Sequence, residues 1–392
     1  MKDSSDIPNK EIESHHTRGK FLTKFNLKEF GGALGDWGTL IPFVIGYVSI
    51  VGLNPAGVFL CLGITNIILG IKFNLPLPVQ PQKTIGTIAL SQSQPWSPNL
   101  VISTGFGTGI IWAILGFTKL LDKIVRKVPQ VIVRGIQLGL GLILGWTALQ
   151  LIGTDILLGI ISISVIIVLF KFKRIPSSIV LVALGIILII WNQSIILSDI
   201  QFKLPIFTFQ IPQWENIIWG MLFAGIAQLF LTLTNVMIAT VSLIKELFPE
   251  KDEEVTASDL ALNMGLMNIF TPFLGGIPLC HGSGGLASQY AFGARTGGSM
   301  ILEGLLEIFL GLFLSDTLFL IFTAFPEAIL GAMLIYTAFL LAKISFKDYS
   351  LKTVPIIITS AVLCLIFNIT VGFIVGLVLY YIFKLIEKKL NT

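Results

Sequence analysis

Two short stretches carry the residues that could do chemistry. Residues 275–297 read GGIPLCHGSGGLASQYAFGARTG, and residues 75–86 read LPLPVQPQKTIG. Each puts Pro-rich, extended sequence ahead of a run that is compatible with a helix. The spacing therefore predicts a membrane crossing made of extended chain plus half a helix. Half-helices begin with unsatisfied backbone N–H groups and the positive end of a helix dipole, an arrangement that attracts anions. The first would open with Gln82, Lys83 and Thr84 after Pro81, and the second with Gly282, Ser283 and Gly284 after Cys280 and His281. Glycines let amides approach a ligand closely, hydroxyls add donors and Lys83 adds a full positive charge. With Gln80 on the extended segment, these residues describe a small oxyanion site. The competing reading is that the glycines serve close helix packing and His281 is an internal packed residue.

The elements that must position these residues are membrane helices. The chain has 392 residues, 54% hydrophobic and 12% charged, with a mean hydropathy of +0.88. Apolar runs of about 17–25 residues, each able to cross a bilayer, recur from residue 31 to residue 386. They fall at about 31–51, 54–71, 100–120, 128–150, 153–170 and 176–193, then at 216–244, 256–273, 298–321, 325–342, 352–367 and 369–386. With the half-helix segments 79–92 and 278–293 they give fourteen crossings, an all-α polytopic membrane protein with no soluble domain between spans. The first thirty residues mix charges without an apolar core, as expected of a cytoplasmic tail and not of a signal peptide. Cys61, Cys280 and Cys364 show no metal spacing and read as packing residues. The net charge of +4 suits a positive-inside membrane protein and is no sign of nucleic acid.

Loop charge supports this count. With a cytoplasmic N-terminus, KLLDKIVRK (119–127), KFKR (171–174), the loop with Lys343, Lys347 and Lys352, and the KLIEKK tail all fall inside, and the outer loops hold only Lys203. Leaving out either half-helix would turn every later basic loop to the wrong side.

Short similarities recur in order with offsets between 197 and 202 residues: Gly63-Ile-Thr-Asn66-Ile67 with Gly265-Leu-Met-Asn268-Ile269, 75–86 with 275–285, and 128–132 with 325–329. Two halves of seven crossings, an odd number, are inverted relative to each other. This predicts a first repeat at 31–193, an extracytoplasmic linker at 194–215, a second repeat at 216–386 and a tail at 387–392, with the half-helices meeting at mid-membrane.

Further polar residues lie inside the spans. Gln228, Thr232 and Asn235 fall on one helix face, which either faces the site or bonds neighbouring helices; a neutral Gln228 suits an anion better than a carboxylate would. Asp36 is an intramembrane acid that either carries a coupling proton or caps a helix structurally, and His281 is a second proton candidate. Arg134 and Glu303 lie at similar depth and form a candidate ion pair, with Glu307 an equal alternative to Glu303.

PVQPQKTIGTIA (78–89) and PLCHGSGGLASQYAFGARTG (278–297) resemble the two signatures of the molybdate transporter family, and GALGDWGTLIPF (32–43) is similar to its first span. That family is related to the sulfate permeases, whose Asn-Ile-x-x-Pro-Phe-x-Gly-Gly run Asn268–Gly276 also resembles. Gln82 departs from the Met more usual between Pro and Lys. The resemblance implies a core domain of spans 1–4 and 8–11 carrying the site, a gate domain of spans 5–7 and 12–14, and elevator-like sliding between them; the Arg134–Glu303 pair, matched by depth alone, would then bridge core and gate. Related transporters are often dimers, which leaves a homodimer open.

The expected function is a secondary transporter of tetrahedral oxyanions, molybdate first, with tungstate and sulfate as alternatives. A nucleobase transporter would carry a carboxylate near Gln228. An anion channel using the same site stays open. No nucleophile with its base, no metal set and no Walker motif is legible, so neither an enzyme, a resident cofactor nor direct ATP drive is expected. The expected location is a prokaryotic plasma membrane with both termini cytoplasmic, an internal eukaryotic membrane being the alternative.

Overall fold

The computed structural model describes residues 23–392 except 92–95, 120, 122–128, 171–176, 193–199, 206–208, 252–253, 347–349, 351–352, 368 and 391–392. The basic loops at 122–127 and 171–174, together with Lys347 and Lys352, lie outside the described residues. The chain is a stack of apolar helices. Pro55–Phe73, Pro98–Thr118, Val131–Ile152 and Trp214–Leu247 are each long and apolar enough to cross a bilayer. Shorter apolar helices include Ile156–Leu169, Ile179–Trp191, Val354–Ile366 and Val371–Ile386.

Helix α1 (Leu27–Ala33) is followed by a 3-10 turn, Leu34–Asp36, and by α2 (Trp37–Ser49). The tail expected to end at residue 30 is thus already folded at Leu27. Asn26 caps α1 by accepting from the Lys28 and Glu29 amides. Glu29 is buried and accepts from the amides of Arg295 and Thr296. The next helices are α3 (Pro55–Phe73), α4 (Lys83–Ala89) and α5 (Pro98–Thr118). After α6 (Gln130–Ile152), α7 (Ile156–Phe170) and α8 (Ser177–Trp191) comes one long helix, Trp214–Leu247. Two π-helical turns, Met221–Gly225 and Leu233–Ile238, interrupt it on either side of the stretch Ile226–Thr232.

Then follow α9 (Ala257–Phe270), α10 (Ser283–Ala291) and α11 (Gly298–Phe313). Thr256 and Asp259 close a reciprocal capping box at the start of α9. The expected span 298–321 is not one helix. At Leu314 the backbone leaves helical dihedrals (φ −123°, ψ 11°), and the next helix, Ser315–Thr323, runs at 87° to the first. Ser315 and Asp316 favour a helix start over a helix interior, because their side chains compete for backbone groups.

Two helix crossings flank the site. A Cβ on Gly63 of α3 would sit 2.5 Å from the Gly304 carbonyl oxygen of α11, and one on Gly265 of α9 would sit 2.3 Å from the Ala113 nitrogen of α5. Both glycines are where two backbones touch, and any side chain there would push the helices apart.

Candidate functional site

The short strands Val79–Pro81 (β1) and Leu279–His281 (β2) pair antiparallel, with Gln80 opposite Cys280, Val79 opposite His281 and Pro81 opposite Leu279. All six residues are buried. A strand pair inside a membrane protein needs its outer backbone groups satisfied by side chains, since no water is there to do it. Asn66 Oδ1 accepts from the Val79 amide at 3.0 Å, and Asn268 Oδ1 accepts from the Leu279 amide at 2.8 Å. The two asparagines that match in sequence therefore do the same work on the two strands. Asn268 Nδ2 also donates to the Leu279 carbonyl at 2.6 Å.

Gln82 joins it there. Its Nε2 donates to the Leu279 carbonyl at 3.1 Å and to Thr108 Oγ1 at 3.2 Å. In the register pair Pro81–Leu279 the Leu279 N–H and carbonyl point away from β1, and Gln82 joins Asn268 as a second donor to that carbonyl. The side chain of Gln82, expected to face substrate, is engaged in holding the strands.

From this pair the two half-helices diverge. Helix α4 begins at Lys83 after Gln82, and α10 begins at Ser283 after Gly282; neither cap residue's side chain covers the first amides. Lys83 and Ser283 are half-buried, and Gly284 is exposed, with nothing within 4 Å of where a Cβ would stand. Among the described residues no carboxylate pairs with Lys83. Ser283 Oγ donates to Asn235 Oδ1 at 3.2 Å. Gln228 reaches α4 from the long helix: its Oε1 accepts from the Thr84 amide at 2.7 Å and its Nε2 donates to Thr232 Oγ1 at 2.8 Å. Gln228, Thr232 and Asn235 thus share the face expected of them, and that face meets both half-helices. The Thr84 hydroxyl is wholly buried with no partner.

Gln80 runs beside Gly282 and Gly285. Its Oε1 lies 3.4 Å from the Cβ position of Gly282, and its Nε2 donates to Thr39 Oγ1 at 2.9 Å and to Asp36 Oδ2 at 3.3 Å. Asp36 is at the head of a buried acidic network. Its other oxygen accepts from Gln289 Nε2 at 3.1 Å, and the same amide nitrogen donates to Glu303 Oε2 at 2.7 Å. Glu303 Oε1 accepts from Trp37 Nε1 at 2.9 Å, and Glu307 Oε2 accepts from Asn66 Nδ2 at 2.8 Å. The Arg134–Glu303 pair is not formed. Glu303 is bonded to Trp37 and Gln289, while Arg134 donates to Gln137 Oε1 one turn along its own helix at 3.2 Å.

His281 is wholly buried. Both ring nitrogens lack a partner of hydrogen-bond geometry, although the Pro78 carbonyl interacts with the ring. The Cys280 thiol faces the Pro81 carbonyl at 3.6 Å. Among the described residues no group of three His, Cys, Asp or Glu side chains is arranged to hold a metal ion. Sequence reasoning passed over Gln289, Thr108 and Glu29. It singled out Asn66 and Asn268 as repeat partners without assigning them a task.

Residues 28–144 and 220–341 match the family described as molybdate transporters of the MFS superfamily. Molybdate transporter 2 of Arabidopsis thaliana is 30% identical over 91% of this chain and 87% of its own length. Among solved structures, the transmembrane domain of the cyanobacterial bicarbonate transporter BicA superposes with a TM-score of 0.66 over 88% of this chain and 96% of that one, at 15% identity. Murine Slc26a9, an anion transporter captured in the inward-facing state, superposes with a TM-score of 0.69 over 95% of this chain and 69% of that one, at 13% identity. This integral membrane protein, mostly helical and folded like those anion transporters, belongs to the molybdate transporter family.

Proposed function

We propose that the chain is a secondary active transporter of tetrahedral oxyanions, with molybdate the first substrate and sulfate and tungstate its competitors. The observation that carries the reading is the meeting of two half-helix N-termini at one strand pair, with Lys83, which no carboxylate among the described residues pairs with, a half-buried Ser283 and an open Gly284 around them. Backbone amides, hydroxyls and one fixed positive charge suit an oxyanion, and no acidic side chain takes part in the first turn of either helix.

The matched tasks of Asn66 and Asn268, and of Gly63 and Gly265, support two inverted repeats of seven crossings. On this reading core and gate slide past one another to give alternating access, both termini are cytoplasmic, and a homodimer is the assembly to test. Substrate transport by named relatives supports molybdate for this chain. Calorimetric titration of the purified protein with molybdate, with sulfate and guanine as competitors, tests it. Molybdate should bind, and Lys83→Ala and Ser283→Ala should each weaken it by roughly tenfold or more, as expected for loss of a charge-assisted or ligand hydrogen bond. Binding that neither change affects would reject the site.

A further inference from the structure

We infer that Gln228 is a surrogate ligand: its amide oxygen takes the place of an oxyanion oxygen on the Thr84 amide, and substrate binds by displacing it. The inference rests on the oxyanion-site reading above. A backbone N–H can only donate, so the Gln228 atom 2.7 Å from the Thr84 nitrogen has to be the oxygen. The amide nitrogen is anchored on Thr232 Oγ1, which fixes the same orientation from the other end. An amide oxygen held against a half-helix repels an incoming oxyanion and competes with it for the same donor. Gln228 is therefore not poised to donate to substrate at that point. It satisfies the Thr84 amide until substrate does so.

Three features make the exchange workable. The Thr84 hydroxyl, wholly buried and without a partner, is a second donor in the same turn that Gln228 leaves unused. The stretch Ile226–Thr232, which carries both Gln228 and Thr232, is bounded by π-helical turns, whose extra residue lets a helix segment shift without unwinding its neighbours. A carrier also has to move empty, and an unsatisfied amide in mid-membrane is costly. Gln228 relieves that cost for the unloaded return and thereby lowers affinity for the anion.

The test is molybdate titration of the full-length purified protein, wild type against Gln228→Met, which keeps side-chain length and loses the acceptor, and Thr232→Val, which keeps Gln228 and removes its anchor. Gln228→Met should lower the Kd for molybdate by roughly two- to tenfold, the span expected for one net hydrogen bond. Thr232→Val should shift it the same way by less, and decides the matter if the Met variant does not fold. In proteoliposomes, net uptake into anion-free lumen should slow more than exchange, because only net uptake needs the empty return. A Kd that rises or stays unchanged in these variants would overturn the surrogate role. If Lys83→Ala and Ser283→Ala weaken molybdate binding in the same series, that failure concerns Gln228 alone. If they leave binding untouched, or the wild type binds no molybdate, the oxyanion site itself falls and the surrogate with it.

Discussion

Replacing Asn268 by Leu removes one side chain from the strand pair and tests how the site is held. Asn268 makes three hydrogen bonds inside the protein, to the Leu279 amide at 2.8 Å, the Leu279 carbonyl at 2.6 Å and the Met264 carbonyl at 2.8 Å. After substitution the Leu279 carbonyl keeps Gln82 as a donor, and the Met264 carbonyl lies within a helix. The Leu279 N–H has no such reserve, because it points away from the partner strand and Asn268 was its acceptor. Orphaning one buried amide costs about 1–3 kcal/mol. At about 2–4 °C per kcal/mol for chains of a few hundred residues, the melting temperature in detergent should fall by roughly 2–12 °C. Because Leu279 lies four residues before Ser283, molybdate uptake should fall further than stability alone explains. Asn66→Leu should be worse, since it orphans the Val79 amide and also strips Glu307 of the donor on its Oε2, leaving both carboxyl oxygens without partners. Scanning fluorimetry and uptake into proteoliposomes measure both. An Asn268→Leu protein that melts and transports like the wild type would refute the view that these asparagines hold the half-helices in place.

Gln82→Met should leave the molybdate Kd within about twofold and lower the melting temperature slightly, because Gln82 bonds Thr108 and a carbonyl that Asn268 also serves. Calorimetry and fluorimetry on the same preparation separate the two effects. Glu29→Ala should destabilise the protein by about 2–4 kcal/mol by orphaning the Arg295 and Thr296 amides, whereas Glu29→Gln should recover part of that loss; thermal melts rank the three proteins. Gly63→Leu should abolish the monodisperse peak in size-exclusion chromatography, since its side chain would enter the Gly304 backbone, while Gly31→Ala, with nothing within 4 Å, should not.

Much of this was legible in the sequence because membrane physics leaves few choices. A Pro-rich stretch too short to span, followed by Gly, Ser or Lys, can cross only as extended chain and half-helix, and both such stretches take that form. The polar face of Gln228, Thr232 and Asn235 was legible from helical spacing, since any polar stripe on an apolar helix must find polar partners. Which atom of Gln228 faces the site was not, because spacing places a side chain on a face but does not orient its amide. The same limit applies to Gln82: its place beside Lys83 suggested a ligand, whereas its side chain bonds Thr108 and the Leu279 carbonyl. Arg134 and Glu303 were matched by depth alone. Depth along two helices says nothing of their rotation, and Trp37 and Gln289 hold Glu303.

Gln80 connects the two polar regions that sequence reasoning treated apart. Its Nε2 is held by Asp36 and Thr39, so its Oε1 is left beside Gly282, at the start of the second half-helix. Asp36 in turn shares Gln289 with Glu303, which leaves a chain of single hydrogen bonds from Trp37 through two carboxyl groups to the site. Among the described residues no cation pairs with Asp36, Glu303 or Glu307, although all three are buried. Burying several carboxylates without a cation is costly, and a proton bound within the network would relieve that cost. Asp36→Asn keeps a side-chain oxygen to accept from Gln80 and cannot gain or lose a proton. If the network couples protons to transport, this variant should bind molybdate within about threefold of the wild type, a span of less than one net hydrogen bond, yet fail to accumulate it against a gradient when the outside is acidified. Accumulation that responds to acidification as in the wild type would leave Asp36 with the structural task alone, holding Gln80 across the first turn of the second half-helix.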